Sequence, residues 1–265
     1  MSLGQAVLRR LDPAGRYGLR LTLLSLAFAL VAVPFGLLVA QVRGEGRLVD
    51  IDTAGVERLH DWVGTSPGAV GPLKLVTDLG APILLWLFVA VAVVVLLRAG
   101  HPRLALFLVV TGLLGGLLDT VVKIAVDRPR PVLLDPVAHA RGMSFPSGHA
   151  MSSTVVYGSL LLVFLPVVAR RWRPVAISAT VGIVLAVGFT RLALGVHYLS
   201  DVVGGIVLGV AWLALSTAAF SIWRVERGKS PVKPMEGLEP EAAADLPGPG
   251  PHEESTPAET KFTHS

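Results

Sequence analysis

The stretch LALFLVVTGLLGGLLDTVVKIAV, residues 104–126, decides the fold of this 265-residue chain. It carries no charge before Asp119, and as a helix it is long enough to cross the hydrocarbon core of a bilayer. The rest of the chain is similar in character, because 52% of all residues are apolar and 16% are charged, against about 25% charged in soluble domains. Together with a mean hydropathy of +0.66, these values predict an integral membrane protein.

Six apolar runs long enough to span a membrane predict an all-α polytopic protein with six transmembrane helices in a bundle. The run nearest the N-terminus follows four arginines, but it is longer than the ~7–15 residues of a cleavable signal and is interpreted as a retained anchor. The second run is short, and a start near Val70 would lengthen it. The predicted spans are residues 21–42, 82–97, 104–126, 149–169, 174–194 and 199–223.

The distribution of basic residues predicts the orientation. With the N-terminus inside, the inner segments hold more Lys and Arg than the outer ones, so the positive-inside rule places both termini in the cytoplasm of a multi-pass cell-membrane protein. A cytoplasmic segment (1–20) then precedes the six-span domain (21–223). The tail (224–265) holds seven prolines, eight acidic residues and five basic ones, which predicts a disordered cytoplasmic segment.

Several classes of function are excluded or disfavoured by composition. The chain has no cysteine, so it has no disulfide, no thiolate nucleophile and no cysteine-based zinc site. It also lacks the glycine-rich nucleotide motifs and the His-Glu-x-x-His zinc motif. Despite a pI near 9.8, the scarcity of charge argues against a nucleic-acid partner.

The first unusual cluster of charge lies at the end of the opening stretch. Asp119, Lys123 and Asp127 recur every four residues and share one face if the helix continues. The prolines on either side of Arg130 are expected to end that helix and leave Arg130 in a stiff exit loop. Taken alone, this segment is best explained as a Lys and an Arg that anchor a helix end at the interface.

The second cluster is Pro146-Ser147-Gly148-His149, directly before the fourth span. A Ser and a Gly at the start of a helix offer a hydroxyl and free backbone N–H groups, which suit a phosphate. An ordinary Ser-capped helix start is commoner, but the ionisable His149 beside it favours a site.

The third cluster joins the fifth and sixth spans. His197 and Asp201 are four residues apart, so the carboxylate can hold one ring nitrogen and leave the other free as a nucleophile or base. Arg191 lies six residues before His197. A lone interfacial His would more often be structural, and the two charged neighbours make that reading less convincing.

All three clusters fall on the outer side of the six-span arrangement. Three cations, a helix N-terminus, two histidines and a carboxylate can therefore converge, which suits a phosphoryl group. In chain order, Lys-x6-Arg-Pro (123–131), Pro-Ser-Gly-His (146–149) and Thr-Arg-x5-His-x3-Asp (190–201) resemble the three signatures of the type 2 phosphatidic acid phosphatase, or lipid phosphate phosphatase, superfamily. Thr190 stands where that family commonly has Ser, and it keeps the hydroxyl.

The resemblance implies a metal-independent and cofactor-free hydrolase. His197 would attack phosphorus and form a phosphohistidine, Asp201 would orient it, and His149 would protonate the leaving oxygen and later activate water. The residues expected to hold the phosphoryl oxygens are Lys123, Arg130, Ser147, Gly148 and Arg191. Asp119 and Asp127 lie outside the signatures and have at most a supporting role.

The expected substrates are membrane lipid phosphates: phosphatidic acid, phosphatidylglycerol phosphate, or a polyprenyl diphosphate such as undecaprenyl diphosphate. The alternatives are hydrolysis of a soluble phosphate ester, phosphoryl transfer to another alcohol, or a non-catalytic lipid-phosphate binder. The last is disfavoured, since binding alone needs no nucleophile. The related haloperoxidases are typically soluble, which six spans argue against. Membrane lipids are the other expected partners, and the sequence makes no prediction of an oligomeric state.

Two further patterns lie outside the signatures. Residues 52–63 place Val56, Leu59, Trp62 and Val63 at helical spacing, as in an interfacial helix that either covers the outer ends of the spans or guides lipid head groups. The first interpretation is favoured. The Gly-x-x-x-Gly pairs at 112–116 and 205–209 predict close packing between helices of one chain.

Overall fold

The computed structural model describes residues 33, 35–44, 46–133, 138 and 140–246. The regular structure of this part of the chain is helical, with no strand, and residues 35–43 are helical ahead of the seven helices that we number here. These are α1 (Arg47–Gly64), α2 (Val70–Asp78), α3 (Pro82–Arg98), α4 (Pro102–Val126), α5 (Gly148–Phe164), α6 (Arg173–Ala193) and α7 (Leu199–Glu226). The prediction of an all-α membrane protein is confirmed.

Five helical stretches of the described chain are long and apolar enough to cross a membrane. They are Val70–Arg98, Pro102–Val126, Gly148–Val167, Arg170–Ala193 and Leu199–Glu226. The second predicted span therefore does begin near Val70, as α2 and α3 follow each other with only a short turn between them. The predicted span 21–42 falls largely outside the described residues, so a total of six spans stays a prediction.

Helix α5 lies at the centre of the bundle and packs against α3, α4, α6 and α7. Its contact with α7 is close because α7 presents two glycines. A Cβ atom on Gly205 would lie 2.6 Å from the Ser147 carbonyl oxygen, and one on Gly209 would lie 2.8 Å from the Thr154 Cβ. This pair does mark close packing within the chain. In the other pair, Gly112 faces the Trp86 ring, and the space beside Gly116 is open.

The predicted disorder of the tail is wrong for its first part. Residues 227–246 fold back against the C-terminal end of α5, where Leu238 is fully buried and its N–H donates to the Leu162 carbonyl at 3.0 Å. The buried Arg224 pairs with Glu239 at 3.1 Å and with Glu241 at 2.9 Å. Composition predicted disorder because apolar residues are few, but those few are placed where they pack. Residues 247–265 lie outside the described part.

Candidate active site

His197 and Asp201 meet at the turn between α6 and α7. The Asp201 side chain accepts hydrogen bonds at Oδ2 from the Tyr198 N–H at 2.8 Å, from His197 Nδ1 at 3.3 Å and from the Ser144 hydroxyl. The Tyr198 bond is half of a capping box at the start of α7, so the helix N-terminus itself fixes the carboxylate. Both side chains are buried.

The other ring nitrogen of His197 faces Arg130. The Arg130 NH1 group lies 3.0 Å from His197 Nε2. A guanidinium can only donate, so Nε2 must accept. The proton of a neutral ring therefore resides on Nδ1, which donates a hydrogen bond to Asp201. Burial lowers the pKa of His197 to about 4, against the hydrogen bond and charge of Asp201, which raise it. His197 is therefore neutral at pH 7, with the Nε2 lone pair facing the site.

Arg130 is held in this position by three backbone carbonyls. Its side chain donates to the oxygens of Val196 at 2.7 Å, Gly142 at 3.0 Å and Arg141 at 3.2 Å. The segment carrying it leaves α4 at Asp127, which has a left-handed φ of 50°. The helix thus ends at Val126, and Asp127 does not continue the face that Asp119 and Lys123 share.

Lys123 lies in the last turn of α4 and joins it to the start of α5. Its Nζ donates to the Asp119 carboxylate at 2.6 and 2.7 Å and to the Pro146 carbonyl at 2.7 Å. Gly148 lies directly against this ion pair, since a Cβ atom there would be 3.2 Å from Asp119 Oδ2 and 3.3 Å from Lys123 Nζ. A side chain at position 148 would fill the space beside the lysine.

The start of α5 brings a buried hydroxyl and the second histidine. The Ser147 N–H donates to the Asp201 carbonyl at 2.9 Å, while its buried Oγ has no partner among the described residues. His149 follows in the first turn, with Cδ2 3.3 Å from the position a Cβ on Gly80 would take. It is close enough to His197 and to the site's cations to interact with them electrostatically.

Arg191 approaches from the last turn of α6. It is buried, its NH1 donates to the Thr77 hydroxyl at 3.0 Å, and its Nε has no partner within the described chain. The Thr190 hydroxyl donates to the Val187 carbonyl at 2.7 Å. The structure thus brings together every residue that the sequence singled out for the site.

Sequence reasoning missed four polar residues that surround Asp201: Asp52, Arg128, Ser144 and Ser200. Asp52 had a detectable signal, because it lies four residues before Val56, on the face of α1 that is buried. A carboxylate on a buried face needs a buried hydrogen-bond donor or cation as its partner. The other three carry no spacing that distinguishes them from ordinary loop and capping residues.

The match to a family model agrees with this geometry. Residues 104–224, from α4 to α7, match the model described as the PAP2 superfamily, and they contain both histidines, Asp201 and all the expected phosphate-binding residues. This match supports the resemblance to that superfamily which the three motifs carry. The PAP2 match begins after α1, α2 and α3, so Asp52 and Thr77 contact the PAP2 region from outside it.

Curated relatives and a solved structure resemble parts of the chain. It is 40% identical over 97 residues to phosphatidylglycerophosphatase B of Bacillus subtilis, covering 36% of this chain and 47% of the relative. It is 32% identical over 121 residues to lipid A 1-phosphatase of Rhizobium etli, covering 42% and 48%. The chain thus spans about half the length of these relatives. The crystal structure of a transmembrane PAP2-type phosphatidylglycerolphosphate phosphatase from Bacillus subtilis superposes with a TM-score of 0.64 at 25% identity, over 70% of this chain and 92% of that one.

Proposed function

We propose that this protein is a metal-independent phosphatase that hydrolyses membrane lipid phosphates through a phosphohistidine intermediate. The observation that carries the proposal is the state of His197, whose Nδ1 proton is held by Asp201 and whose Nε2 lone pair faces a guanidinium. An imidazole held in this way is a nucleophile aimed at a place where an anion is stabilised. The names of the two curated relatives support a lipid phosphate as the substrate.

In the first step, His197 Nε2 attacks phosphorus as the bond to the leaving oxygen breaks. Arg130 moves from Nε2 to a phosphoryl oxygen, since both compete for the same N–H group. His149, in its protonated form, gives its proton to the leaving alcohol, an assistance typically worth about 10²–10⁴-fold. The positive charge that develops on the His197 ring is stabilised by Asp201.

In the second step, the now neutral His149 takes a proton from water, and the water oxygen attacks phosphorus. The N–P bond breaks, inorganic phosphate leaves, and both histidines return to their starting states. Lys123, Arg130 and Arg191, with the Ser147 hydroxyl and the Gly148 N–H, stabilise the phosphoryl oxygens throughout. These cations occupy the role that a metal plays in other phosphatases.

The proposed substrates are phosphatidic acid, phosphatidylglycerol phosphate or a polyprenyl diphosphate. We place the site at the outer face of a cell membrane and both termini in the cytoplasm, because the bases at the opposite helix ends, such as Arg98, Arg103 and Arg170, follow the positive-inside rule.

The test is phosphate release by the purified protein in detergent with EDTA present, from the three lipids compared at one surface concentration. We expect turnover of at least one lipid, and none by His197→Gln. Brief exposure to ³²P-labelled lipid followed by denaturation should leave acid-labile label on the wild type. Release only after a divalent metal is added, or full turnover by His197→Gln, would exclude this mechanism.

A further inference from the structure

Arg128 binds Asp201 on the side away from His197. Its NH1 donates to Asp201 Oδ1 at 2.6 Å and to the Ser200 hydroxyl at 2.7 Å. Its guanidinium also stacks on the Tyr198 ring, with Cζ 4.1 Å from the ring centroid. The residue is only 7% exposed. A buried side chain with these hydrogen bonds and this stacked ring is fixed in one orientation.

Asp52 on α1 holds the other end of the same guanidinium. Its Oδ2 accepts from Arg128 NH2 at 2.8 Å, and its Oδ1 accepts from the Ser200 N–H at 3.0 Å. The Ser200 hydroxyl donates to the same carboxylate. Asp52 is 1% exposed, and both oxygens of this buried α1 carboxylate accept hydrogen bonds from residues of the 104–224 region.

The charges alternate along this chain of contacts: Asp52 is negative, Arg128 positive and Asp201 negative, and His197 follows. Arg128 occupies Oδ1 of Asp201, whereas the His197 ring and the Tyr198 N–H share Oδ2. The carboxylate therefore cannot rotate about its long axis without losing a charge-assisted hydrogen bond. This is the property needed to keep the Nδ1 proton of His197 in place.

We propose that Arg128 and Asp52 are positioning residues for the histidine nucleophile. By its hydrogen bond, Arg128 fixes the Asp201 carboxylate in the orientation that maintains the His197 tautomer. Asp52 in turn fixes the orientation of the Arg128 guanidinium. This inference rests on the proposed role of His197. Neither residue reaches the phosphoryl group, because Asp201 lies between Arg128 and the His197 ring. Helix α1 thus contributes to catalysis through the Asp52 carboxylate, which orients Arg128.

The charge-removing pair Arg128→Gln and Asp52→Asn tests this, with Arg58→Gln and Asp61→Asn as matched controls because both control side chains are exposed. We expect Arg128→Gln to lower kcat by about 10–100-fold and to leave KM within about twofold, as for a group that orients a reacting histidine. Asp52→Asn should lower kcat less, since Arg128 keeps its bond to Asp201. Arg128→Lys, which keeps the charge without the fork, should fall between Arg128→Gln and the wild type.

The titration of His197 separates positioning from a merely structural role. The charged and titratable groups that act on it are Asp201 from α7, Arg191 from α6, His149 from α5 and Arg130 from the segment after α4, while Lys123 from α4 and Arg128 act through Asp201. Removing the positive charge of Arg128 should raise the pKa of His197, and removing the negative charge of Asp52 should lower it. Unfolding would instead raise the pKa of His197 towards its ordinary value of 6.5 in both variants, so only the positioning role predicts opposite shifts.

Nitrogen-15 NMR of ring-labelled protein, with the His197 signal assigned by its loss in His197→Gln, reads the tautomer and the pKa without turnover. Opposite shifts in the two variants and no shift in the controls are the expected result. If Arg128→Gln matches Arg58→Gln in kcat and in the His197 titration, the positioning role is wrong. If the shifts occur but the wild type releases phosphate from no lipid, the positioning role stands and the proposed function is wrong.

Discussion

Replacement of Asp201 by Asn is expected to lower kcat by roughly 10²–10⁴-fold with the fold retained. This magnitude follows from the hydrogen bonds that the Asp201 carboxylate makes. The carboxylate has two acceptor oxygens in use, Oδ1 by Arg128 at 2.6 Å and Oδ2 by Tyr198 and His197 at 2.8 and 3.3 Å. An asparagine of the same shape has one acceptor oxygen and one NH₂ group, which can only donate.

The magnitude follows from how that amide must turn. Three donors converge on Oδ2, so the amide oxygen takes that place, and the NH₂ group then faces the Arg128 guanidinium, donor against donor. The bond to Arg128 is lost, and the bond to His197 loses its charge assistance. Hydrogen bonds to charged groups are each worth about 1.5–3 kcal/mol. If both losses are felt as His197 becomes positive, the barrier rises by roughly 3–6 kcal/mol, or two to four powers of ten.

The assay is phosphate release in detergent from the best of the three lipids, with the melting temperature of each variant measured in parallel. Asp61→Asn on the exposed face of α1 is the matched control and should retain wild-type kcat. Because the reasoning assigns the loss to the transition state, KM should change little. A folded Asp201→Asn variant with kcat within about tenfold of wild type would refute it.

Three other predictions concern the pH profile, the packing of α7 and the tail. The pKa of His197 is lowered to about 4 from an ordinary value of 6.5, and only the neutral ring attacks, so the kcat/KM profile should fall on the acid side near pH 4; a fall near 6.5 would contradict this. Gly205→Ala should lower the melting temperature, because the added Cβ would lie 2.6 Å from a carbonyl oxygen of α5, whereas Gly182→Ala, with open space around it, should not. Leu238→Ser should speed tryptic cleavage of the tail by unburying it, and Met235→Ser, at an exposed position, should have no effect.

The described spans could be predicted closely from the sequence because hydropathy reports what each helix contacts, and most of these helices face lipid. The short second run illustrates why the ends are harder. Apolar residues from Val70 onward continue the span, but the turn before Pro82 interrupts the pattern, and the helix bounds of the structure are needed to join α2 and α3 into one stretch. The prediction for the tail failed because composition averages over the whole segment, whereas the packing of the tail depends on a single buried residue, Leu238.

The site likewise contains residues that local spacing predicts and residues that only the tertiary structure brings together. His197 and Asp201 could be paired from spacing alone, because four residues bring two side chains together at a helix start. Arg128 and Asp52 are 76 residues apart in sequence, and their contact depends on how α1 lies across α7. No local pattern encodes that arrangement. An acid on the buried face of an amphipathic helix indicates that a partner exists, but it does not identify the partner.

The surroundings of the cations indicate how they share the work of binding phosphate. Lys123 is paired with Asp119 and also bonded to a carbonyl, so its charge is largely compensated and its ammonium group already makes three hydrogen bonds. Arg130 and Arg191 contact carbonyls, a histidine and a hydroxyl, and neither forms a salt bridge with any carboxylate of the described chain. An incoming phosphoryl group therefore gains most from these two, because the charge of neither arginine is paired with a carboxylate of the described chain. Substitution of either arginine by Gln should cost more in kcat/KM than Lys123→Gln, and a larger loss at Lys123 would mean that Asp119 releases the lysine when substrate binds.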